Sequence, residues 1–598
     1  MKLFGRIISN IVVLAALVVT FSRFSSAQEP QIAQNVGDRS KAPQNAKASV
    51  ESGKPEYTVS NSLARVGVQT AQPLPLSLND AIRKALERNN DIEISRDDVR
   101  FQETSLRSLL GVYDPVFTVN PNYTKNHTTG QAGTNDFRVN ADVIGNVAPG
   151  GGNYRLFFNN SRTENAFAQA QVSSGSIGSG SSAIYSSSLG FTYTQPLLRD
   201  LSTDSNRRLI KIARKKLQQT DADFRRTTIE TIARVQQTYW DLVFALRDQQ
   251  NRVANVDLAK ENLRQIEAKI EAGSAAPLER YEVATELANR ESDLLLATQQ
   301  VSTTENALKQ LLIKEGTSSE WSQSYVPVDK PVISTDPVDL DVAMKDAMDN
   351  RHELRRLKLQ AEVNTIDLAY YKNQTRPQID LNTTFSLNGL SRGGAITDTT
   401  LVPQFSGNDE ILRQKLNSLL PVGSQIGQTF IPIAGTPSFL SGGFNRSLAN
   451  IFRSDAPNYS IGVTISFPLR NRTARANFAG AKVQQEQIAA QTRSEEQVVI
   501  VEVRNAVQAV ETARQRVLTA RRARENAELQ LDGERKLYDA GKSTTFLLFQ
   551  RENTLTNARN AEIRAETDYN KAVADLQKAT STTFRVNNIE VESPTDDK

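Results

Sequence analysis

The feature that most constrains this chain is the segment from Leu197 to Ala272, which contains neither proline nor glycine. Such a run is far longer than an ordinary globular helix. Within it, apolar side chains recur every seven residues in two interleaved seams, the first of them broken only by Gln249. This pattern predicts one very long helix packed against neighbours on more than one side. At about 1.5 Å per residue this helix would be on the order of 110 Å long. One seam contains Val235, Leu242, Val256, Leu263 and Ile270, and the other contains Ile232, Tyr239, Leu246 and Val253.

The predicted helix ends at a turn around Gly273 and Ser274. Glycine can adopt the left-handed conformation that terminates a helix, and Pro277 suits the first turn of a returning helix. We therefore predict a long helical hairpin over residues 197–313.

Landmarks of the first half recur in the same order in the second half. Gly541 and Lys542 repeat the turn, and no proline lies between Pro468 and Pro594, which predicts a second long hairpin over residues 469–580. This order indicates an internal duplication. The paired landmarks are Leu78-Asn79-Asp80-Ala81 with Leu340-Asp341-Val342-Ala343, Asp114-Pro115 with Arg376-Pro377, and Gln195-Pro196-Leu197 with Phe467-Pro468-Leu469.

The N-terminus has the pattern of a secretory signal peptide. Lys2 and Arg6 precede the apolar run from Ile7 to Val19, and Ser25-Ser26-Ala27 offers small residues for cleavage. The alternative, a retained membrane anchor, has a shorter apolar core than a spanning helix normally needs. The predicted segments are a signal peptide (1–27), a mobile arm (28–75), a first repeat (76–325), a second repeat (326–590) and a C-terminal tail (591–598).

After Pro115 the apolar period changes to two residues, which is typical of a strand with one apolar and one polar face. Four segments of about ten residues have this pattern, the length of a strand that crosses a membrane. No later segment reaches the roughly eighteen continuous apolar residues of a transmembrane helix, so an exported chain that enters a membrane must do so with strands. A soluble sandwich would show similar alternation. The four strands are predicted near residues 115–124, 187–195, 378–388 and 459–467.

Two further regions lie between these strands. Phe137 to Val147 and Tyr154 to Thr163 flank a Pro-Gly-Gly-Gly turn and predict an additional hairpin near 137–163, which the sequence does not assign to the main sheet. Residues 391–458 predict a surface loop. About four strands cannot close a pore, and unpaired strand edges are not tolerated in hydrocarbon, so several copies would have to contribute to one barrel.

The strand-to-helix junctions read Gln195-Pro196-Leu197-Leu198-Arg199 and Pro468-Leu469-Arg470-Asn471-Arg472. The hairpin turns read Glu271-Ala272-Gly273-Ser274 and Asp539-Ala540-Gly541-Lys542-Ser543-Thr544. In the order and spacing of these segments, over roughly Leu76 to Ile589, the chain resembles the TolC-like outer-membrane efflux proteins.

This resemblance implies a fold class that is mainly α with a membrane β-barrel portion. Duplicated helical hairpins would form a periplasmic α-barrel, and about four strands per protomer would form a shared, twelve-stranded outer-membrane barrel in a homotrimer. It also implies that the chain works with a periplasmic adaptor protein and an inner-membrane transporter, in contact with outer-membrane lipid. We also predict that the tip turns, at Gly273, Ser274, Gly541 and Lys542, dock the adaptor, because these turns end the helical hairpins farthest from the strands.

Composition argues against catalysis. The chain has no cysteine and only two histidines, and no nucleophile–base pair or phosphate-binding glycine loop stands out. We therefore expect no enzyme activity, no cofactor and no metal. A basic stretch begins the first long helix, but acidic residues balance the total to a net charge of +4, so we expect no nucleic-acid partner.

Three acidic residues near the predicted turns are candidates for a pore constriction: Asp532, Asp539 and Glu271. Rings of carboxylates around a narrow mouth favour cations. Solubilising surface charge is the alternative for these residues.

For the whole chain, the main hypothesis is a trimeric duct from the periplasm to the exterior. The alternative is an exported coiled-coil structural protein with a soluble β-sandwich.

Overall fold

The computed structural model describes residues 65, 67–127, 129, 133–164, 183–274, 276–334, 336–393, 399–433 and 437–592. The predicted signal peptide, most of the predicted arm and most of the predicted C-terminal tail lie outside these residues. The described chain is mainly helical and carries an antiparallel sheet, which confirms the predicted fold class.

Two helices are exceptionally long. Helix α3 (Ser205–Glu271) has 67 residues and α9 (Arg472–Asp539) has 68, so each is about 100 Å long. Among the described residues, no helix combines the length and the apolar character needed to cross a membrane. The other α-helices of the described residues are α1 (Leu78–Arg88), α2 (Asn90–Leu110), α4 (Glu279–Leu312), α5 (Leu340–Asn350), α6 (His352–Gln374), α7 (Asn408–Leu419), α8 (Phe444–Ile451), α10 (Thr545–Ala579) and α11 (Thr583–Val586).

The first long helix begins at Ser205 rather than at the predicted Leu197. Asp200 has a φ of +66°, which is incompatible with a continuing right-handed helix. Asp204 then caps the helix, because its Oδ1 accepts a hydrogen bond from the backbone N–H of Arg207 at 2.7 Å. The polar run Ser202-Thr203-Asp204 is a good capping sequence and could have indicated this start.

Each long helix packs along shorter helices of its own repeat. In the first repeat α2 and α4 both contact α3, and in the second α6 and α10 both contact α9. The short helices meet through equivalent hydrogen bonds: Asn89 Nδ2 donates to the Leu311 carbonyl at 3.1 Å, and Arg351 Nε donates to the Ala579 carbonyl at 3.0 Å. The two repeats therefore share one architecture, in which a long helix is flanked by two helices placed end to end.

The largest apolar core lies midway along α3. Strand β1 (Gln69–Leu76) pairs in parallel with β6 (Gln323–Pro327) beside this core, so the described end of the predicted arm is an ordered strand. Leu76 is buried there, and the Tyr239 hydroxyl donates to Asp329 Oδ2 at 2.6 Å. Burial raises the pKa of this hydroxyl. The strand escaped prediction because its two prolines are unfavourable in strands.

Within the described residues, the main sheet has six strands, in the order β10-β7-β5-β4-β3-β2, and every neighbouring pair is antiparallel. Four of them overlap the four predicted segments. The additional hairpin supplies β3 and β4, which are inserted between β2 and β5. The strands are β2 (Val116–Asn126), β3 (Thr134–Asn146), β4 (Asn153–Glu164), β5 (Ala183–Pro196), β7 (Gln378–Arg392) and β10 (Pro457–Ser466).

The predicted surface loop 391–458 contains short elements. Strands β8 (Thr400–Pro403) and β9 (Phe430–Ile433) pair with each other, and α8 packs onto β5 and β7. A Cβ at Gly389 would overlap the Ser447 carbonyl, so glycine permits the close approach of α8. Elements of this length are too short for periodicity to reveal them.

Candidate functional site

One face of the sheet carries an apolar band that runs across all six strands. Because side chains alternate along each strand, the pairing register fixes which residues share a face. Two consecutive rows on this face are apolar from one edge to the other, and large side chains in them are exposed, such as Tyr459 at 82% and Phe117 at 65%. The first row contains Phe117, Val143, Leu156, Phe191, Phe385 and Tyr459, and the second contains Val119, Ala141, Phe158, Leu189, Leu387 and Pro457.

The opposite face is mostly polar. Arg155 and Asp142 form an ion pair there, with Arg155 Nε 2.8 Å from Asp142 Oδ1. One row on this face contains Asn120, Asn140, Asn159, Ser188 and Asn388. A sheet with these two faces can separate an apolar phase from water.

The two strand-to-helix junctions differ in their surroundings. At Pro196, the following Leu197 N–H donates to the Ile379 carbonyl at 2.7 Å, which ties β5 to the start of β7. Gln374 Nε2 donates to Asp200 Oδ1 at 2.6 Å and completes the connection to α6. The second junction, at Pro468, follows the edge strand β10 and is exposed.

Both hairpin turns have the predicted left-handed glycine. Gly273 has a φ of +74° and Gly541 a φ of +70°. In each turn the next residue donates its backbone N–H back to the helix: Ser274 to the Lys269 carbonyl at 2.8 Å, and Lys542 to the Leu537 carbonyl at 2.9 Å. This is the hydrogen-bond pattern of a glycine-terminated helix.

The structure brings the two turns close together. Lys269 Nζ lies 3.2 Å from the Tyr538 hydroxyl and 4.6 Å from the centre of its ring. Lys269 is two residues before Glu271, and Tyr538 directly precedes Asp539, so these two candidate acids lie at adjacent helix ends. We refer to the two turns and the last helical turns before them as the rod tips.

The candidate acids are exposed and differ in their contacts. Asp532 Oδ2 accepts a hydrogen bond from Lys536 Nζ at 2.6 Å, within the same helix. Asp539 and Glu271 are also exposed. Within the described ranges, no group of three or more histidine, cysteine, aspartate or glutamate side chains is placed to hold a metal ion.

A buried ion pair near the rod tips was not predicted from the sequence. Arg290 of α4 donates Nη2 to Glu552 Oε2 of α10 at 3.3 Å, and the two side chains are only 7% and 3% exposed. Arg290 also donates to the Asn255 carbonyl at 3.2 Å, so one side chain joins three helices. Charged residues on helices are usually solvated, and nothing in the local sequence marks this pair as buried.

Farther from the turn, charged side chains link α9 to α10. Arg559 Nη2 donates to Glu528 Oε1 at 3.2 Å, and this hydrogen bond holds the pKa of the Glu528 carboxyl below its ordinary value. Arg524 lies between Glu528 and Glu562, with Nε 2.6 Å from Glu562 Oε2. The second hairpin is therefore crosslinked by ionic contacts as well as by its apolar seam.

We expect Arg290→Met to loosen the rod tips, because it removes the cation nearest to the buried Glu552 carboxylate and leaves only Asn262 at 3.4 Å and Arg535 at 3.7 Å beside it. Removing one member of a buried pair typically costs about 3–5 kcal/mol, whereas replacing both with apolar residues costs far less. Amide hydrogen exchange in α4 and α10 should therefore accelerate in Arg290→Met and slow again in the double variant Arg290→Met, Glu552→Met.

The matched control is Arg264→Met, which removes an exposed ion pair with Glu261 in α3. Exposed pairs contribute little, so exchange should stay near the wild-type rate. If amide hydrogen exchange in α4 and α10 is equally fast in Arg290→Met and Arg264→Met, the buried ion pair does not stabilise the rod tips.

A family model described as "Outer membrane efflux protein" matches residues 158–312 and 435–582, together just over half of the chain. No curated protein matches the chain.

Several solved structures have a similar fold. The Campylobacter jejuni CmeC outer membrane channel has a TM-score of 0.55 at 14% identity, covering 91% of this chain and 98% of its own. The outer-membrane channel OprN has a TM-score of 0.53 at 16% identity, covering 84% of this chain and 89% of its own. The Vibrio cholerae outer membrane protein VceC has a TM-score of 0.53 at 14% identity, covering 84% and 95%. At these identities the likeness shows a common fold.

Proposed function

The chain belongs to the outer membrane efflux protein family, and on that premise we propose that three copies form a duct that carries solutes from the periplasm to the exterior. It is an outer-membrane protein that extends into the periplasm. The observation that carries the proposal is the apolar band that crosses one face of the sheet, which adjoins helices about 100 Å long. The apolar band of the sheet can contact lipid, and the long helices extend away from the sheet.

The homotrimer is supported by the edges of the sheet. Strands β2 and β10 each pair on one side only among the described residues. Unpaired backbone groups are costly in hydrocarbon, so another copy must cover them. Three copies are what the resemblance to the TolC-like proteins implies.

Partners are proposed at the rod tips. An adaptor would dock around Gly273, Ser274, Gly541 and Lys542, the turns at the ends of the long helices away from the sheet. A groove beside them is lined by side chains of α4 and α10, including Tyr281 and Phe546, which are 66% and 71% exposed. Exposed aromatic side chains of this kind are typical of binding surfaces. An inner-membrane transporter would supply the energy, since the chain carries no recognisable nucleotide-binding loop.

The proposed constriction consists of Asp532, Asp539 and Glu271. Three copies would bring nine carboxylates to the narrow end of the duct if all three residues face its axis. Such rings favour cations over anions.

Fractionation distinguishes the duct from the alternative, an exported coiled-coil structural protein with a soluble β-sandwich. A sandwich packs two sheets face to face, whereas Ile461 and Tyr459 on the apolar face are 73% and 82% exposed. We expect the protein in the outer-membrane fraction, released only by detergent. Recovery in the aqueous periplasmic fraction would contradict the duct and favour the structural protein.

A further inference from the structure

We propose that the additional hairpin, β3 and β4, is part of the membrane wall, so that three copies of six strands build an 18-stranded pore instead of the twelve-stranded one that the resemblance implies. This inference rests on the proposed function, because it assumes that three copies close one wall. It concerns how wide that wall is and which residues line it.

The first argument is the register of the hairpin. Val143 of β3 pairs with Phe117 of β2 on one side and Leu156 of β4 on the other, and Leu156 pairs with Phe191 of β5. The hairpin thus continues the apolar rows without a break. If the hairpin were paired one residue out of register, its apolar side chains would move to the polar face of the sheet. The observed register places apolar with apolar and polar with polar residues, which is a specific property of this sequence.

The second argument is the position of the hairpin's turn. Residues 147–152 join β3 to β4 at the end of the sheet where the long helices begin. Gln195 Nε2 donates to the Gly150 carbonyl at 2.9 Å, and Asn146 Nδ2 donates to the Val112 carbonyl at 3.0 Å. A short turn on the periplasmic side, with longer connections on the outer side, is the arrangement of outer-membrane barrels.

Glycine makes this anchoring possible. Gly151 has a φ of +68°, and a Cβ there would lie 2.7 Å from both the Asp200 carbonyl oxygen and Arg207 Nη2. The turn therefore packs directly against the cap of the first long helix. A hairpin that projected freely into solvent would have no need of this close contact.

The third argument is strand direction. Five antiparallel pairings separate β2 from β10, so the two edge strands run in opposite directions. Edge β10 of one copy can therefore pair in the antiparallel sense with edge β2 of a second copy. The two strands have similar lengths, 10 and 11 residues. Six strands per copy, like four, keep this alternation around a closed wall, and the pairing of β2 with β3 instead of β5 favours six.

The consequence is a wider pore with a different lining. Barrel diameter grows roughly linearly with strand number, so 18 strands give a diameter about 1.5 times that of twelve. The hairpin also adds its polar face to the lining, including Asn140, Asn159 and the Arg155–Asp142 pair.

Single-cysteine fluorescence tests this proposal, and the chain's lack of native cysteine means that no background must be removed. A fluorophore is attached at Val143→Cys or Leu156→Cys on the apolar face, and at Asn140→Cys or Asn159→Cys on the polar face. Matched controls on β7 are Phe385→Cys for the apolar face and Thr384→Cys for the polar face. Each labelled protein is reconstituted in phosphatidylcholine vesicles and exposed to acyl-chain-brominated lipid or to aqueous iodide.

We expect brominated lipid to remove most of the fluorescence at Val143 and Leu156, as at Phe385, and iodide to quench Asn140 and Asn159, as it does Thr384. If iodide quenches Val143 and Leu156 while Phe385 responds to lipid, the hairpin lies outside the wall and this inference is wrong, although the duct stands. If Phe385 also responds only to iodide, the sheet is not in lipid and the proposed function itself fails. Electron cryomicroscopy of the wild-type trimer gives an independent result: 18 strands support the inference, and twelve overturn it.

Discussion

Gly541→Val is expected to abolish efflux while the protein still reaches the outer membrane and assembles. Gly541 has a φ of +70°, and an added Cβ would meet no atom within 4 Å. The substitution therefore creates no clash, and its effect comes from the backbone alone. A β-branched residue in the left-handed region costs about 1–3 kcal/mol. The turn would relax by moving Lys542 and the start of α10, which changes the surface proposed to dock the adaptor.

Two matched variants isolate this cause. Gly541→Asn should retain efflux, because asparagine tolerates the left-handed conformation. Gly533→Val places the same bulk inside α9, where an added Cβ also meets open space and no positive φ is required. It should reduce efflux less than Gly541→Val. Drug or dye accumulation in cells expressing each variant measures the effect, and immunoblots of outer membranes control for assembly. Wild-type efflux by Gly541→Val would show that the turn geometry does not matter for transport.

Asp532→Asn combined with Asp539→Asn is expected to lower the cation selectivity of the channel and to weaken its block by multivalent cations. In each copy, the double substitution removes two negative charges from the rod tip at the end of α9. It also leaves Lys536, whose Nζ lies 2.6 Å from Asp532 Oδ2 in the wild type, without this acidic partner. Because Lys536 already compensates part of the Asp532 charge, Asp539→Asn alone should account for most of the change. Reversal potentials in planar bilayers under a salt gradient measure selectivity directly.

The control for this experiment is Glu486→Gln, which removes an exposed acid from α9 far from the tips. Its selectivity should match that of the wild type. If the double variant also keeps wild-type selectivity and block, the acids are surface charge and the constriction lies elsewhere.

The long helices were predictable because their signal accumulates over many residues. Between Leu197 and Gly273, the apolar seams at a seven-residue step, the absence of proline and the glycine turn all indicate one long helix. The start at Ser205 was missed because it depends on one local cap by Asp204. The left-handed turns at Gly273 and Gly541 were predictable because few other residues adopt that conformation.

The remaining features depend on contacts between distant parts of the chain. The insertion of β3 and β4 between β2 and β5 depends on which strands pair with each other. The apolar–polar alternation within one strand identifies that strand but does not specify its neighbours in the sheet. The buried pair of Arg290 and Glu552 joins residues that lie 262 positions apart. Strand β1 forms because it pairs with β6 and packs into the core around Tyr239, not because its own sequence favours a strand.

Conductance of the purified wild-type protein tests the central claim most directly. The protein is extracted from outer membranes in detergent, its oligomeric state is established, and it is added to a planar lipid bilayer. The account predicts a trimer that inserts and produces discrete, cation-selective conductance steps, which the variant Asp532→Asn, Asp539→Asn makes less selective. A folded trimer that binds the bilayer without any conductance steps, at any voltage the bilayer withstands, would contradict the claim that this chain forms a duct.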